Sequence, residues 1–124
     1  MPLPTPLDLE AIEAELATLS AHLDAGAHRQ PTLIRLVDES GLWHAQGAAS
    51  TSAWLSWRIG LALGAARERL RIARALVALP SIDEAFSKGR LSYSKIRAMT
   101  RVATSENEAH LLELALRTTA AQLE

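Results

Sequence analysis

Cysteine is absent from the 124-residue sequence, and aromatic side chains make up only 4% of it. The first absence excludes a disulfide framework and thiolate chemistry. The second, with few β-branched residues and an apolar fraction dominated by Ala and Leu, favours helix over strand. No apolar run is long enough to span a bilayer, since Arg58 interrupts the most apolar stretch. The start, MPLPTPLDLE, is proline-rich and acidic, without the basic segment and apolar run of a signal peptide. These features predict a cytoplasmic protein with no membrane partner. A chain of this length buries one core, so residues 1–124 read as a single all-α domain, an irregular bundle of six to eight helices without a sheet.

Metal and covalent chemistry find little support. His22, His28, His44 and His110 form no i, i+4 pair, there is no HExxH, and no cysteine is available as a zinc ligand. Ser92-Tyr93-Ser94-Lys95 spells the SxxK pattern of serine acylation, but no KTG or SDN accompanies it. Ser92 reads better as a helix cap. The sequence therefore predicts no catalytic, cofactor or metal residue, and no enzyme within this chain.

What the sequence does have is a displaced charge. Residues 1–57 carry two basic and seven acidic side chains, residues 58–101 ten and three, and residues 102–124 one and four. The segments sum to −5, +7 and −3, hence the net −1. A basic middle suits a polyanionic partner such as nucleic acid. It equally suits pairing with the chain's own acidic ends, because charge along a sequence need not be charge on a surface.

Helix signals run the whole length. Leu9, Ile12, Leu16, Leu19 and Leu23 recur at three and four, with Thr5 as a cap and Gly26 as a stop. A second helix is expected from Pro31 to Gly41, burying Leu33, Ile34 and Val37. Ser50 caps a short helix stopped by Gly60, and a long one spans about Gly64 to Leu79, ended by Pro80. Capping boxes are expected at Ser81 with Glu84, Ser105 with Glu108 and Thr119 with Gln122, and Ser92 caps a helix carrying Ile96, Met99 and Ala103. The helix after Ser105 is expected to bury Ala109, Leu112 and Leu116. The last box, so near Glu124, predicts a longer parent protein with a downstream domain.

On the long helix, Ala66, Leu70, Ala73 and Val77 share one face, and Arg67, Arg71 and Arg74 share a neighbouring one. Arg69 falls at the edge of the core, beside Ile72 and Leu76, so an ion pair to Asp38 or Glu39 is expected for it. Trp54 and Leu55 are expected in the core with Leu70, Ala73, Val77, Ile96 and Leu112, and Trp57 at its margin. Ser56, Gly60 and Ala66 fit a DNA-reading helix-turn-helix, but no hydroxyl caps the second helix at Ala62-Leu63, and an ordinary helix corner fits as well.

Three stretches carry a resemblance: Ser50 to Leu55, Gly64 to Leu76 and Gly89 to Ala103, with the TAAQLE end. They resemble the N-terminal helical domain, named domain of unknown function 222, of actinobacterial 13E12-repeat proteins. The resemblance implies an accessory domain beside a C-terminal HNH nuclease. It supplies no catalytic residue here, since nothing in this chain matches the HNH site. Where the family has serine-proline after the turn glycine, this chain has Ala62-Leu63.

Two functions follow. In the first, Arg67, Arg71, Arg74, Lys88, Arg90, Arg97 and Arg101 form a phosphate track that binds or positions nucleic acid non-specifically. In the second, the domain is an interaction or oligomerisation scaffold with no nucleic-acid binding, and its arginines pair with acids. The track requires arginines that share a surface and stay free of carboxylates.

Overall fold

A computed structural model describes residues 8–118, which form seven helices and no strand. They are α1 (Leu9–Ser40), α2 (Leu42–Ala45), α3 (Thr51–Ile59), α4 (Leu63–Val77), α5 (Pro80–Ser87), α6 (Tyr93–Met99) and α7 (Glu108–Ala115). The all-α class and the helix number expected from the sequence are those found. The box at Thr119 and Gln122 lies outside the described residues.

The two helices expected before Gly41 are one. Helix α1 runs unbroken for 32 residues, with Gly26 and Pro31 inside it. An interior proline removes a backbone hydrogen bond and normally breaks a helix, at a cost of about 3 kcal/mol. Tertiary contacts on both sides of Pro31 keep the helix continuous through it. His28 Nε2 meets Asp83 Oδ1 of α5 at 3.0 Å on the N-terminal side. Pro31 and Ile34 are buried, and Asp38 is tied to α4 on the C-terminal side. Gly41 then ends the helix as expected, in the left-handed conformation at φ 72°.

Helix α4 is the central wall. One flank, Ala66, Leu70 and Ala73, packs with Ile34 of α1 and Leu55 of α3. The other, Ile72 and Leu76, packs with Leu79, Ile82, Ala85, Phe86, Leu91, Ile96 and Met99. Buried on two flanks, α4 keeps Arg67 and Arg74 among its exposed residues, and it meets α3 in a corner at Gly60. Val77, expected in the core, is 57% exposed, because it is the last residue of α4 and lies one turn beyond Ala73, where the packed part of that face ends. Trp54 and Leu112 are partly rather than fully buried.

Ser50 and Ser92 cap α3 and α6 as expected, each hydroxyl accepting a backbone N–H three residues on (Ala53 at 3.0 Å, Lys95 at 3.3 Å). The Ser81 and Ser105 boxes do not form. Pro80 takes the first helical position of α5, so Leu79 rather than Ser81 is its cap residue. The acceptor for the α5 N-terminus comes from another helix. Glu108 Oε2 accepts from the backbone N–H groups of Ser81 at 3.0 Å and Ile82 at 3.1 Å. With Glu108 turned inward and buried, α7 presents Leu111, Leu112 and Ala115 to the core, and Ala109 and Leu116 stay exposed.

Candidate functional site

The seven basic residues do not form one track. Arg74 is drawn to α1, where its Nε and Nη2 donate to the two carboxylate oxygens of Asp38, both at 2.9 Å. The Asp38 carboxyl lies below its ordinary range, chiefly through Arg74 and, against the cost of burial, through the Thr51 hydroxyl at 2.6 Å. Arg71, one turn earlier on the same stripe, turns the other way. It donates to Glu68, to the Thr100 hydroxyl at 3.3 Å and to the Arg97 carbonyl at 3.4 Å, tying α4 to α6. Lys88 pairs with Glu84 at 2.8 Å, where Arg90 adds its field. Arg67 is exposed and has no acid within salt-bridge range among the described residues. A 60° difference in phase between Arg71 and Arg74 is enough to send them to opposite neighbours.

The expected pair for Arg69 is also made differently. Asp38 is taken by Arg74, and the Arg69 guanidinium lies over the Tyr93 ring, 3.9 Å from its centroid. A guanidinium keeps its charge and stacks on an aromatic face, so this satisfies its half-buried position without a carboxylate. Burial pushes the Tyr93 phenol up from its ordinary value, with the Arg69 charge opposing.

A smaller basic cluster does survive. Arg97 Nε lies 3.6 Å from Glu68, and Arg101 acts on the same carboxylate. Arg71, Arg97 and Arg101 thus gather round one acid, whose carboxyl is held below its ordinary range chiefly by Arg71. Gly64, Ala65, Glu68, Arg69, Tyr93 and Arg97 line a depression of about 380 Å³ there.

The second surface is apolar. Leu9, Ile12, Leu16, Leu19 and Leu23 lie between 42% and 64% exposed, and every residue from Leu9 to Gly26 is exposed. This half of α1 is an arm projecting from the body. Further along α1, Leu33, Ile34 and Val37 with Trp54, Leu55 and Ile59 of α3 enclose a nearly wholly apolar groove of about 430 Å³. Gly26 and Arg29 edge it on the side of the arm. Trp54 turns its indole N–H out to Gln46 at 2.8 Å and its ring to the groove, while Trp57 is exposed beneath Arg58. The exposed stripe was visible in the sequence as a 3-4-3-4 spacing. What marked it as uncovered was the strictness of that spacing, a narrow seam rather than the broader face of a globular helix.

Catalytic machinery is not assembled from the motifs. Ser92 is engaged as a cap, and Lys95 Nζ donates to the Ala115 carbonyl at 2.7 Å, so the two are not a serine–lysine pair. Among the described residues no group of three His, Cys, Asp or Glu side chains could hold a metal ion, and no helix is long and apolar enough to cross a membrane.

A family model described as a domain of unknown function, DUF222, matches residues 10–124. No curated protein and no solved structure matches the chain.

Proposed function

Because the chain belongs to the DUF222 family, whose function is unknown, its role has to be read from its surfaces, and we propose that it is a non-catalytic interaction module. The observation that carries this reading is the continuous apolar surface of the α1 arm and the α1/α3 groove. A contiguous exposed stripe of five large aliphatic residues is what a docking surface requires and a monomer's free surface does not. The groove is of the size and composition that takes an apolar helix by its i, i+3, i+4, i+7 side chains.

The test separates docking from folding. If the stripe is a docking surface, Leu16→Glu with Leu19→Glu leaves the stability of the dilute chain within about 0.5 kcal/mol of the original. A loss above about 1 kcal/mol on chemical denaturation would show the stripe packed on its own body, and the reading would fall.

One observation favours a second reading, nucleic-acid binding as an accessory to an HNH nuclease domain of a longer cytoplasmic parent. Three guanidiniums gather round the single carboxylate of Glu68, with Arg69 stacked on Tyr93 beside it, leaving positive charge over for phosphate. On this reading the chain holds duplex DNA with a dissociation constant of about 10⁻⁴–10⁻⁶ M, weakening steeply with salt. Arg97→Ala with Arg101→Ala weakens all sequences alike and flattens the salt slope by up to about two units. Absence of binding at low salt removes this reading and leaves the first untouched.

A further inference from the structure

The arm that the docking reading rests on also specifies its partner. The 3-4-3-4 spacing places Leu9, Leu16 and Leu23 at the a positions of a heptad, and Ile12 and Leu19 at d. The same phase continues without a break into Gly26, Gln30, Leu33 and Val37, all four of which line the groove. Arm and groove are thus two halves of one coiled-coil seam on one helix. An arm of 18 residues exposed on every side spans about 27 Å. Helices in proteins draw most of their stability from a packed amphipathic face, and the arm has none within its own chain.

We infer that the occupant is a second copy of this chain, its α1 antiparallel to the first, each arm lying along the other's groove. Charge decides the direction. The positions flanking the seam on one side are Glu15, His22 and Arg29. In a parallel pair Glu15 comes beside Ser20 and Arg29 beside Ile34, so neither charge is answered. Antiparallel, Glu15 of each copy meets Arg29 of the other, twice across the twofold axis. Arg29 has no ion pair among the described residues of its own chain.

Shape fixes the register. Pairing Glu15 with Arg29 sets Leu9 of one copy against Leu33 of the other, Leu19 against Leu23, and Leu16 against Gly26. A Cβ at Gly26 would meet nothing within 4 Å, so the missing side chain leaves room for the leucine laid over it. A glycine inside a helix costs about 1 kcal/mol against alanine. Here it makes the hole that a knob from the other copy fills.

Sedimentation of the whole chain tests this. A monomer–dimer equilibrium is expected between micromolar and submillimolar concentration. Leu16→Glu acts in both copies and raises the dissociation constant at least about a hundredfold. Glu15→Arg and Arg29→Glu each weaken the dimer about tenfold, and the two combined in one chain restore it to within about threefold. A chain that stays monomeric, or a dimer indifferent to Leu16→Glu, overturns the self-pairing. Failure of the combined charge reversal to restore the dimer overturns the antiparallel arrangement. A monomer whose stability Leu16→Glu with Leu19→Glu leaves unchanged defeats only the self-pairing, whereas a destabilised one defeats the docking reading beneath it.

Discussion

Phe86→Ala lowers the stability of the domain by about 3–5 kcal/mol, enough to unfold much of a marginal domain at room temperature. Phe86 is the chain's one phenylalanine and is 2% exposed. It sits in the larger core cluster, among side chains from α4, α5, α6 and the segments between them. The His28 ring meets it in a T-shaped contact at 89° with centroids 5.3 Å apart, so α1 packs against it as well. Removing the ring leaves a void that four helices would have to move to fill, which is why the upper half of that range is expected. Chemical denaturation should show a lower midpoint at an unchanged slope. A loss below about 1 kcal/mol would mean that α5 does not stand where these contacts place it.

Glu108→Ala costs about 2–3 kcal/mol, a large effect for a single polar side chain. The carboxylate is the acceptor for two backbone N–H groups at the start of α5, and the Ile82 donor is buried. Alanine leaves both without an acceptor in a place water does not reach freely, and the cost of an orphaned buried donor exceeds the net value of an ordinary hydrogen bond. Anionic charge at a helix N-terminus is favourable in itself. Glu108→Gln keeps an oxygen but loses the charge, and should cost about half as much. Hydrogen exchange at Ser81 and Ile82 should quicken in both variants, more in the first. Equal stability of Glu108→Ala and the original chain would remove the link between α5 and α7.

Local chemistry was legible in the sequence wherever it was self-contained. A serine followed three residues later by its own donor identified the caps at Ser50 and Ser92. Glycine in the left-handed region ended α1 at Gly41 and α3 at Gly60. The family was legible too, in the blocks around Gly64 to Leu76 and Gly89 to Ala103.

What failed depended on partners far along the chain. Pro31 reads as a helix start because proline usually is one, and only His28 on Asp83 and Asp38 on Arg74 explain why it is not. Glu108 reads as the partner of Ser105, three residues away, yet serves Ser81 and Ile82, across 27 and 26 residues. The arginine stripe of α4 was read from helical phase alone. Its division between Asp38 and Glu68 was set by which neighbours stand on either side, and no helical phase contains that information.

The position of α4 has a mechanical meaning. The same helix that supplies Ala66, Leu70 and Ala73 to the packing beneath the apolar groove carries Glu68, Arg69 and Arg71 of the basic cluster. Its 15 residues make a rod of about 22 Å whose turns cannot slide past one another. A helix seated in the groove that pressed on Leu55 and Ile34 would push on α4 through close-packed side chains, which transmit displacement rather than absorb it. Arg69 and Arg71, carried by α4, would then shift against Tyr93 and α6. The two surfaces are opposite sides of the same turns of one helix.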